Sequence, residues 1–582
     1  MKIHDYKALG ATDASFMILY RFAGTCLALS FGILMLLGSS CNSNAQAPSE
    51  SRRLEAVKIF AENVFASGSD RWSGQATPLL TDGVNIQTGE PVEWIYEGER
   101  FIIHNLASQQ NLFRTLTGLS NITGDEQYRD AARDAISYHF NYLKSDCGLL
   151  RWGGHQIIDM NTLEPVGHFD ANCHEFKNNF PFYDLMWEVD SQATADFLRA
   201  FWNAHIFDWS RLDMNRHGQY GLTMGNLWDN EFIQPEPFFE GDGLTFINAG
   251  SDLIYAGGIL YFLNHETEAL RWAKLLAEQF VRARHPDTGL GVYQYSKPVR
   301  RQDPPEEGPL EGRLTWSSYG DRAENQFGKD FPGTAREGWA LFHGGIYTLP
   351  KLIQLELSER MGEEGKEFLD WSVEGMKSYA RYAYDPVNNQ FRPMWADGTD
   401  LSGYEFPRTG YYGNKGRVLE PFAANEQFLF SFSRAYRLSN DQYLWETVRS
   451  MFRGLGLGDP GAQPGAQTAL NLQTDNSDPY AVFALLEVSR AVDNPAFLQL
   501  AEVIGDNILR RSFHKGFFLP GSDHINANFN AIEPLALLSL EAALMGKPEL
   551  VPVYSGGRGY IHGRFDGMER TYDAQAIWSK TE

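Results

Sequence analysis

Hydrophobic residues recur at helical spacing along most of the chain after residue 52. Apolar positions at i, i+3, i+4 and i+7 mark one face of a helix. Period-2 alternation, which marks a strand, is short and local, as at 292–296. No fixed-length repeat is visible, which argues against a regular solenoid. The helical pattern predicts an all-α fold with about thirteen helices, near 53–66, 105–121, 127–145, 191–207, 245–262, 265–284, 337–357, 364–382, 421–437, 440–455, 478–491, 495–511 and 530–545.

Long loops rich in glycine and proline alternate with these helices. A compact domain rarely keeps long irregular loops unless they serve a function. Two stretches within them, 299–313 and 457–467, could instead be linkers, but helical periodicity continues on both sides of each. We therefore expect one domain over 53–582 with an extended segment at 551–582. The predicted loops are 146–182, 210–244, 286–335, 385–420 and 457–476.

The N-terminus has the pattern of an export signal. Basic residues precede an uncharged apolar run at 22–37, which is short for a membrane span and ends in GSSC at Cys41. We expect residues 1–41 to be a lipoprotein signal peptide, with Cys41 acylated and 42–52 as a tether. The alternatives are ordinary cleavage near Ala45–Ala47 and an uncleaved anchor helix. The first interpretation predicts a lipid-anchored protein in the periplasm or on the cell surface.

Composition excludes one class of partner and suggests another. A net charge of −24 argues against nucleic acid, whose binding requires phosphates to be neutralised. Aromatic residues make up 14% of the chain and can stack on sugars or fill the core. An acidic polysaccharide is still compatible with the net charge. Charges are screened over roughly 8–10 Å, so a local cationic cleft decides.

Residues 151–221 carry most of the candidate chemistry. Three groups stand out: His155, the pair His174-Glu175 and the pair Arg216-His217. Two imidazoles and a carboxylate suit Zn²⁺, Mn²⁺, Co²⁺ or Ni²⁺. These residues lie on separate segments, so only the fold can bring them together. Cys173, next to His174, could pair with Cys147 in an exported protein.

The runs HEFKNNFPFYDLMWEVD and FWNAHIFDWSRLDMNRHGQYG resemble the periplasmic pectate lyases of polysaccharide lyase family 2. The resemblance implies metal-assisted β-elimination on polygalacturonate. It assigns His155, Glu175 and His217 as metal ligands and Arg216 as the base that removes the proton. The Glu175 to Arg216 interval of 41 residues agrees with the family. The interval of 20 from His155 to Glu175 is about one residue short.

The resemblance also implies an (α/α) toroid of six or seven helical hairpins, whose long loops would form a cleft at one mouth. It implies an acidic polysaccharide or oligosaccharide substrate and a divalent Mn²⁺, Co²⁺ or Ni²⁺ ion, with Ca²⁺ a poorer fit. Three ligands of one ion should have donor atoms roughly 3–4 Å apart. We expect Arg216 to leave room for one sugar ring between its guanidinium and the metal. We further expect a monomer that touches the membrane only through its lipid.

Several other residues are candidates for secondary roles. His168 or His174 could replace His155 as a ligand, whereas His205, in an apolar helix, is expected to be a core histidine. Polar residues on one helix face and in the loops could line the cleft or contact a uronate. The predicted substrate-binding residues are Lys177, Asn105, Gln109, Arg417 and Tyr412.

Two rival functions remain open from the sequence. A glycoside hydrolase could use the same architecture, since a fold does not determine a reaction. A non-catalytic glycan-binding lipoprotein is the second rival, although it has little need of a metal triad. Arg216 could also merely pair with a carboxylate, which would leave the base role to a nearby His or Tyr. The carboxylates available to a hydrolase are Asp184, Glu188, Asp190, Asp208 and Asp213.

Overall fold

Helices dominate the structure, a computed structural model that describes residues 51–96, 98–154, 156–167, 173–233, 245–295, 326–330, 345–410, 412–521 and 524–557. The predicted signal peptide and most of the tether lie outside these ranges. Within them there are fourteen α-helices. They are α1 Arg52–Gly68, α2 Gln110–Thr123, α3 Gln127–Tyr142, α4 Tyr183–Val189, α5 Ser191–His205, α6 Ile247–Asn264, α7 Thr267–Arg282, α8 Leu349–Met361, α9 Lys366–Ala383, α10 Glu426–Ser439, α11 Gln442–Gly454, α12 Pro479–Ala491, α13 Ala496–Ser512 and α14 Glu533–Leu544.

Seven of these helices form an inner ring, and the other seven cover it. The inner helices α2, α4, α6, α8, α10, α12 and α14 each pack against an outer partner. In α6, GSDLIYAGGIL is buried on every side, because a helix that is apolar all round must be enclosed. Outer helices such as α7 bury only one stripe. Only glycine fits at position 257, where α6 approaches α7, because a Cβ there would lie 2.9 Å from the Ala269 carbonyl oxygen.

The ring closes between the two ends of the chain. The last inner helix, α14, packs against both α1 and α2. Arg53 on α1 fixes this contact through Nε to Glu541 at 2.5 Å and Nη1 to Asp506 at 2.7 Å. The helix α1 is therefore the outer partner of α14, and the fold is an (α/α) toroid of seven hairpins.

Loop lengths separate the two mouths of the ring. Each inner helix except α14, whose outer partner α1 lies at the other end of the chain, passes through a short turn into its outer partner. Gly124 after α2 takes the left-handed conformation that such a turn requires, with φ 77°. The return from each outer helix to the next inner helix is long, at twenty residues or more. All inner helices therefore run in the same direction, with their N-termini at the mouth that carries the long loops, as expected.

The long loops contain short antiparallel strands. Four strands form one sheet in the order β2-β3-β4-β5, and β1 pairs with β17 to join the first and last long loops. The strands are β1 Gly83–Asn85, β2 Glu93–Tyr96, β3 Glu99–His104, β4 Gln156–Asp159, β5 Pro165–Gly167, β6 Cys173–His174, β7 Ile206–Asp208, β8 Asp213–Met214, β9 Gly218–Gln219, β10 Tyr384–Asp385, β11 Gln390–Phe391, β12 Phe422–Ala423, β13 Gly458–Asp459, β14 Ala469–Leu470, β15 Phe513–His514, β16 Phe517–Phe518 and β17 Asn526–Asn528.

The sequence patterns anticipate most of these elements. The predicted helices overlap observed ones, although 337–344 falls outside the described residues. Helix α4 was not predicted, because seven residues are too few to display a period. The short period-2 pattern at 292–296 gives, within its described part, an isolated bridge between Gln294 and Phe246. In the described part of the chain, no helix has the length and apolar character needed to cross a membrane.

Candidate active site

A two-residue ladder sets the spacing of the site. Strand β6 pairs with β9 so that Cys173 lies opposite Gln219 and His174 opposite Gly218. Just beyond this ladder the side chains of Glu175 and His217 meet, with Oε1 and Nε2 3.6 Å apart. Two residues that are 42 positions apart in the sequence thereby become neighbours. Arg216 is adjacent to His217 on the same segment.

Glu175 is the centre of the site. Its side chain is fully buried and lies among three basic side chains that are each less than a fifth exposed. The Lys177 Nζ is 3.1 Å from Oε2, Arg216 Nε is 3.4 Å from Oε1 and His217 Nε2 is 3.6 Å from Oε1. One carboxylate therefore holds a lysine, an arginine and a histidine together, and the cluster is locally cationic in a chain of net charge −24.

Arg216 lies closer to Glu175 than the sequence led us to expect. Its guanidinium carbon is 5.3 Å from the centre of the Phe246 ring, a cation–π distance. The ring and the carboxylate together fix the side chain inside the cluster. The arginine pairs directly with Glu175, and room for one sugar ring between the guanidinium and a metal ion stays a prediction.

Backbone contacts anchor Glu175 from a neighbouring turn. The Gly154 N–H donates to the Glu175 carbonyl at 3.0 Å. Gly153 has φ 115°, and a Cβ there would lie 2.6 Å from the same carbonyl, so only glycine fits. Asn105 holds this turn in place, because its amide donates to the carbonyls of Gly153 at 2.9 Å and Gln156 at 3.3 Å.

Asp252 on α6 holds the segment that follows Lys177. Its carboxylate accepts backbone N–H groups from Asn178 at 2.6 Å, Asn179 at 2.8 Å and Phe180 at 2.9 Å. Burial raises the pKa of Asp252 to about 8, although these three hydrogen bonds oppose the shift. The positive φ angles of Asn178 (60°) and Phe180 (46°) show how tightly this segment turns.

Two buried histidines connect the two strands of the site. The Trp152 indole N–H donates to His174 Nε2 at 3.1 Å, His174 Nδ1 bonds to His205 Nε2 at 2.9 Å, and His205 Nδ1 bonds to the Asn215 carbonyl at 2.8 Å. Donors and acceptors agree only if both rings are neutral and carry the proton on Nδ1. Burial, the largest cause, lowers the pKa of both, that of His205 to about 4.

This relay (Trp152, His174, His205 and the Asn215 carbonyl) uses both ring nitrogens of His174. The alternative in which His174 replaces His155 as a metal ligand is therefore wrong in this structure. His205 is a satisfied core histidine, as expected. A Cβ at Gly218 would lie 2.4 Å from His205 Nε2, so the relay also requires glycine at that position.

A metal ion fits part of this arrangement. The distance of 3.6 Å between Glu175 Oε1 and His217 Nε2 lies in the range expected for two ligands of one ion, and a carboxylate with an imidazole suits a divalent transition metal. The third predicted ligand, His155, and its alternative, His168, lie outside the described residues. Among the residues that are described, no three His, Cys, Asp or Glu side chains group as a metal site.

The predicted substrate-binding residues fall into three places. Lys177 belongs to the Glu175 cluster. Asn105 and Gln109 are buried, and the Gln109 amide donates to the Leu80 carbonyl at 2.8 Å and to Asp82 at 2.7 Å. Both act as internal braces, and contact of either with substrate stays a prediction.

Tyr412 and Arg417 lie on a loop that reaches the site through Phe246. Tyr412 is buried in a small aromatic cluster that also contains Phe246, the ring beneath Arg216. Arg417 donates from Nη1 to the Tyr412 carbonyl at 2.9 Å. Its position at the surface of this loop is compatible with a substrate contact.

Three of the five carboxylates considered for a hydrolase serve other purposes. Asp184 pairs with Arg360, Glu188 with Arg129 at 2.5 Å, and Asp190 caps α5. Asp184 and Glu188 line a separate cavity, to which no residue of the Glu175 cluster contributes. The two cysteines suggested as a pair, Cys147 and Cys173, are free thiols.

Several residues of the site gave no signal in the sequence. Phe246, Asp252 and Trp152 look like ordinary core positions, because each has its partner on a distant segment. The adjacent glycines at 153–154 and the glycine after His217 were the only local marks of close backbone approach.

The solved structures that match this chain are distant from it in sequence. A D-mannose isomerase has 14% identity and a TM-score of 0.40, with 72% of this chain and 90% of that one covered. A family 76 glycoside hydrolase from Bacteroides thetaiotaomicron has 9% identity and a TM-score of 0.38, with 85% and 78% covered. Resemblances this weak do not transfer a function.

Sequence similarity is far stronger. A pectate disaccharide-lyase of Dickeya dadantii (strain 3937) is 36% identical over 518 residues, which are 86% of this chain and 92% of the relative. The family model described as periplasmic pectate lyase matches residues 77–564, which include every residue of the Glu175 cluster. Pectate lyases generally depend on a metal ion. The chain belongs to the periplasmic pectate lyase family, and is an exported polysaccharide lyase.

Proposed function

We propose that this lyase cleaves pectate by β-elimination at the Glu175 cluster. The observation that carries the proposal is one fully buried carboxylate in contact with Lys177, Arg216 and His217 at 3.1–3.6 Å. A polyanionic substrate needs a local concentration of positive charge, which this cluster supplies despite the acidic surface. The family's description as periplasmic supports the same compartment for this chain.

The reaction requires a base near C5 of a uronate. The C5–H bond breaks, its electron pair forms a double bond between C4 and C5, and the glycosidic oxygen on C4 leaves with its electrons and takes up a proton. Arg216 is the proposed base and would accept the C5 proton on a neutral guanidine nitrogen. Its contacts with Phe246 and Glu175 fix where that nitrogen lies before substrate binds.

Charge accumulates on the uronate carboxylate as the proton leaves. Lys177 is the residue placed to pair with that carboxylate, because its Nζ lies at the Glu175 cluster and is partly exposed. Glu175, His217 and His155 would hold a divalent ion. Such an ion supplies Lewis-acid stabilisation of the uronate carboxylate. Mn²⁺, Co²⁺ or Ni²⁺ suits this ligand set better than Ca²⁺.

Contacts on both sides of position 155 support His155 as the third ligand. Gly154 donates to the Glu175 carbonyl at 3.0 Å, and the Gln156 side chain donates to the Cys173 carbonyl at 3.4 Å. Residues 154 and 156 are thus each tied to the 173–175 segment that carries Glu175.

The relative's name suggests a mode of cleavage. The Dickeya protein is named as a pectate disaccharide-lyase, and we propose that this chain also releases unsaturated disaccharides. A lyase of this kind shortens the polymer slowly while product accumulates, whereas random cleavage lowers viscosity at once. The ratio of viscosity loss to new double bonds separates the two.

The remaining expectations concern anchoring and assembly. Acylation of Cys41 would tether the enzyme to a membrane through the polar segment that follows. We propose that the folded toroid acts as a monomer, because the Glu175 cluster is assembled from one chain.

Incubation with polygalacturonate tests the reaction. We expect ultraviolet absorbance from unsaturated uronides, loss of activity on chelation, and recovery with Mn²⁺, Co²⁺ or Ni²⁺ in preference to Mg²⁺. Saturated products with new reducing ends would show hydrolysis and contradict the proposal. Full activity after exhaustive chelation would contradict the ligand set alone and leave the base assignment intact.

A further inference from the structure

Two cationic side chains share a small internal cavity at the start of α8. Lys351 lies in the first turn of that helix and Arg284 follows α7. Both line a cavity of about 10 Å³ with Tyr347 and Gln354, and the rest of the wall is apolar or glycine. Neither cation belongs to the Glu175 cluster.

No acidic residue in the described part of the chain lines the cavity. Lys351 is only 6% exposed, and within the described ranges it forms no ion pair with a carboxylate. Burial lowers the pKa of Lys351 well below its ordinary value, and neighbouring Arg284 lowers it further. Glu374 on α9 acts on Arg284 through its field but does not line the cavity. Buried charge without a counter-charge is costly.

The other polar groups of the wall can also donate. The Tyr347 hydroxyl accepts the Gly291 N–H at 2.8 Å, which leaves its own O–H to donate. Arg284 gives one N–H to the Trp371 carbonyl at 2.5 Å, and a guanidinium has five. Gln354 Oε1 accepts from Ser372 at 3.4 Å, which leaves the amide N–H groups.

We propose that this cavity binds one small inorganic anion of the size of chloride. A volume of about 10 Å³ admits a single species near the size of a water molecule, so a uronate or sulfate is too large. Four donors, two of them cationic, and the N-terminal end of a helix of 13 residues all favour negative charge.

The bound ion would stabilise the wall behind the active site. Ile247 lines the cavity and follows Phe246, the ring on which Arg216 rests. An anion that neutralises Arg284 and Lys351 would hold the beginnings of α6 and α8 together. This site is independent of the proposed reaction, so it can be tested without substrate.

Thermal unfolding of the mature protein in sodium chloride and in sodium gluconate at equal ionic strength provides the test. Gluconate is too large for the cavity and controls for general salt effects. We expect chloride and bromide to raise the melting temperature by a few degrees in a saturable manner, as binding to the native state requires. Line broadening of the chloride nuclear magnetic resonance signal should report the same affinity.

Lys351→Met should abolish both responses to chloride. Lys366→Met removes the same charge from a surface ion pair with Asp370 and should leave both unchanged. Tyr347→Phe removes one donor and should weaken chloride binding about tenfold. This variant keeps the aromatic ring, so it decides the question even if Lys351→Met does not fold. Equal melting curves in chloride and gluconate for the wild type would overturn the proposal, as would an undiminished chloride response in both cavity variants.

Discussion

Two pairs of buried histidines in this toroid share a geometry but differ in what they connect. In His104–His139 the Nε2 atoms are 2.7 Å apart, and in His174–His205 the bonded nitrogens are 2.9 Å apart. Both pairs are almost entirely enclosed. Burial lowers the pKa of all four rings, so each pair is neutral at physiological pH.

The difference lies at the ends of each pair. His104 Nδ1 donates to the Leu80 carbonyl at 2.6 Å. His139 Nδ1 is buried and has no hydrogen-bond partner among the residues that the structure describes. The relay through His174 and His205 is satisfied at both ends and links the segment before Glu175 to the segment before Arg216. The same side-chain chemistry therefore supports packing in one place and positions the active site in the other.

The largest loss of kcat should come from replacing the base. Losses caused by changes in either histidine pair can then be compared with it. Arg216→Lys should lower kcat by about 10²–10⁴-fold, because general-base catalysis contributes that much. Arg211→Lys, at an exposed arginine of the preceding hairpin, is the matched control. Initial rates on polygalacturonate measure both. A nearly active Arg216→Lys variant would move the base role to another residue.

Lowering the pH should reveal the role of the His104–His139 pair through a fall in the free energy of unfolding. His104 has a pKa of about 4 when folded against about 6.5 when unfolded. The unfolded chain binds more protons in this window, so stability is retained above pH 6.5 and lost as pH falls towards 4. His104 accounts for roughly 3 kcal/mol of that loss. Urea unfolding of wild type and His104→Gln should diverge within this window, and parallel curves would contradict the assignment.

Replacing one imidazole of each pair by a phenyl ring tests the comparison directly. His205→Phe keeps a ring against Gly218 but loses both hydrogen bonds, and should lower kcat about 10–100-fold, as loss of a positioning partner does. His139→Phe should destabilise the protein by about 1–3 kcal/mol and leave kcat unchanged. Equal kcat losses in the two variants, at matched folded fraction, would show that the pairs do not differ in role.

The smallest expected loss of kcat comes from adding one methyl group at position 218. Gly218→Ala would place a Cβ 2.4 Å from His205 Nε2 and displace the relay, with an expected kcat loss of about threefold to tenfold. Gly505→Ala is the control, because its Cβ would meet Leu540 at 2.8 Å between α13 and α14. That variant should lose stability only. An unchanged kcat in Gly218→Ala would mean that the relay can move without effect.

The sequence predicts the fold well where a period has room to repeat. Helices such as α7 and α13 show their apolar stripe over sixteen or seventeen residues. The short helix α4 and the two-residue strands do not, because two to seven residues cannot display a period. Pairing between β6 and β9 depends on where distant loops meet, which no local pattern records.

The site could be predicted only as far as the family resemblance reached. Glu175, Arg216 and His217 converge, and Lys177 joins them. The relay, Asp252 and Phe246 lie on segments without a chemical motif, so their roles appear only in the structure. Arg216 was expected farther from Glu175, because an isolated sequence cannot show that a buried carboxylate attracts the nearest guanidinium.

The joint between α1 and α14 has a consequence for how the protein forms. Helix α1 leaves the ribosome before its partners Asp506 and Glu541 are made, because they follow Arg53 by 453 and 488 residues. Such distant contacts form slowly, because a long stretch of chain must first be ordered. The ring therefore cannot close until residues 533–544 have been made, and α1 keeps an apolar face uncovered until then. A chain that is exported before the ring closes does not have to be unfolded first.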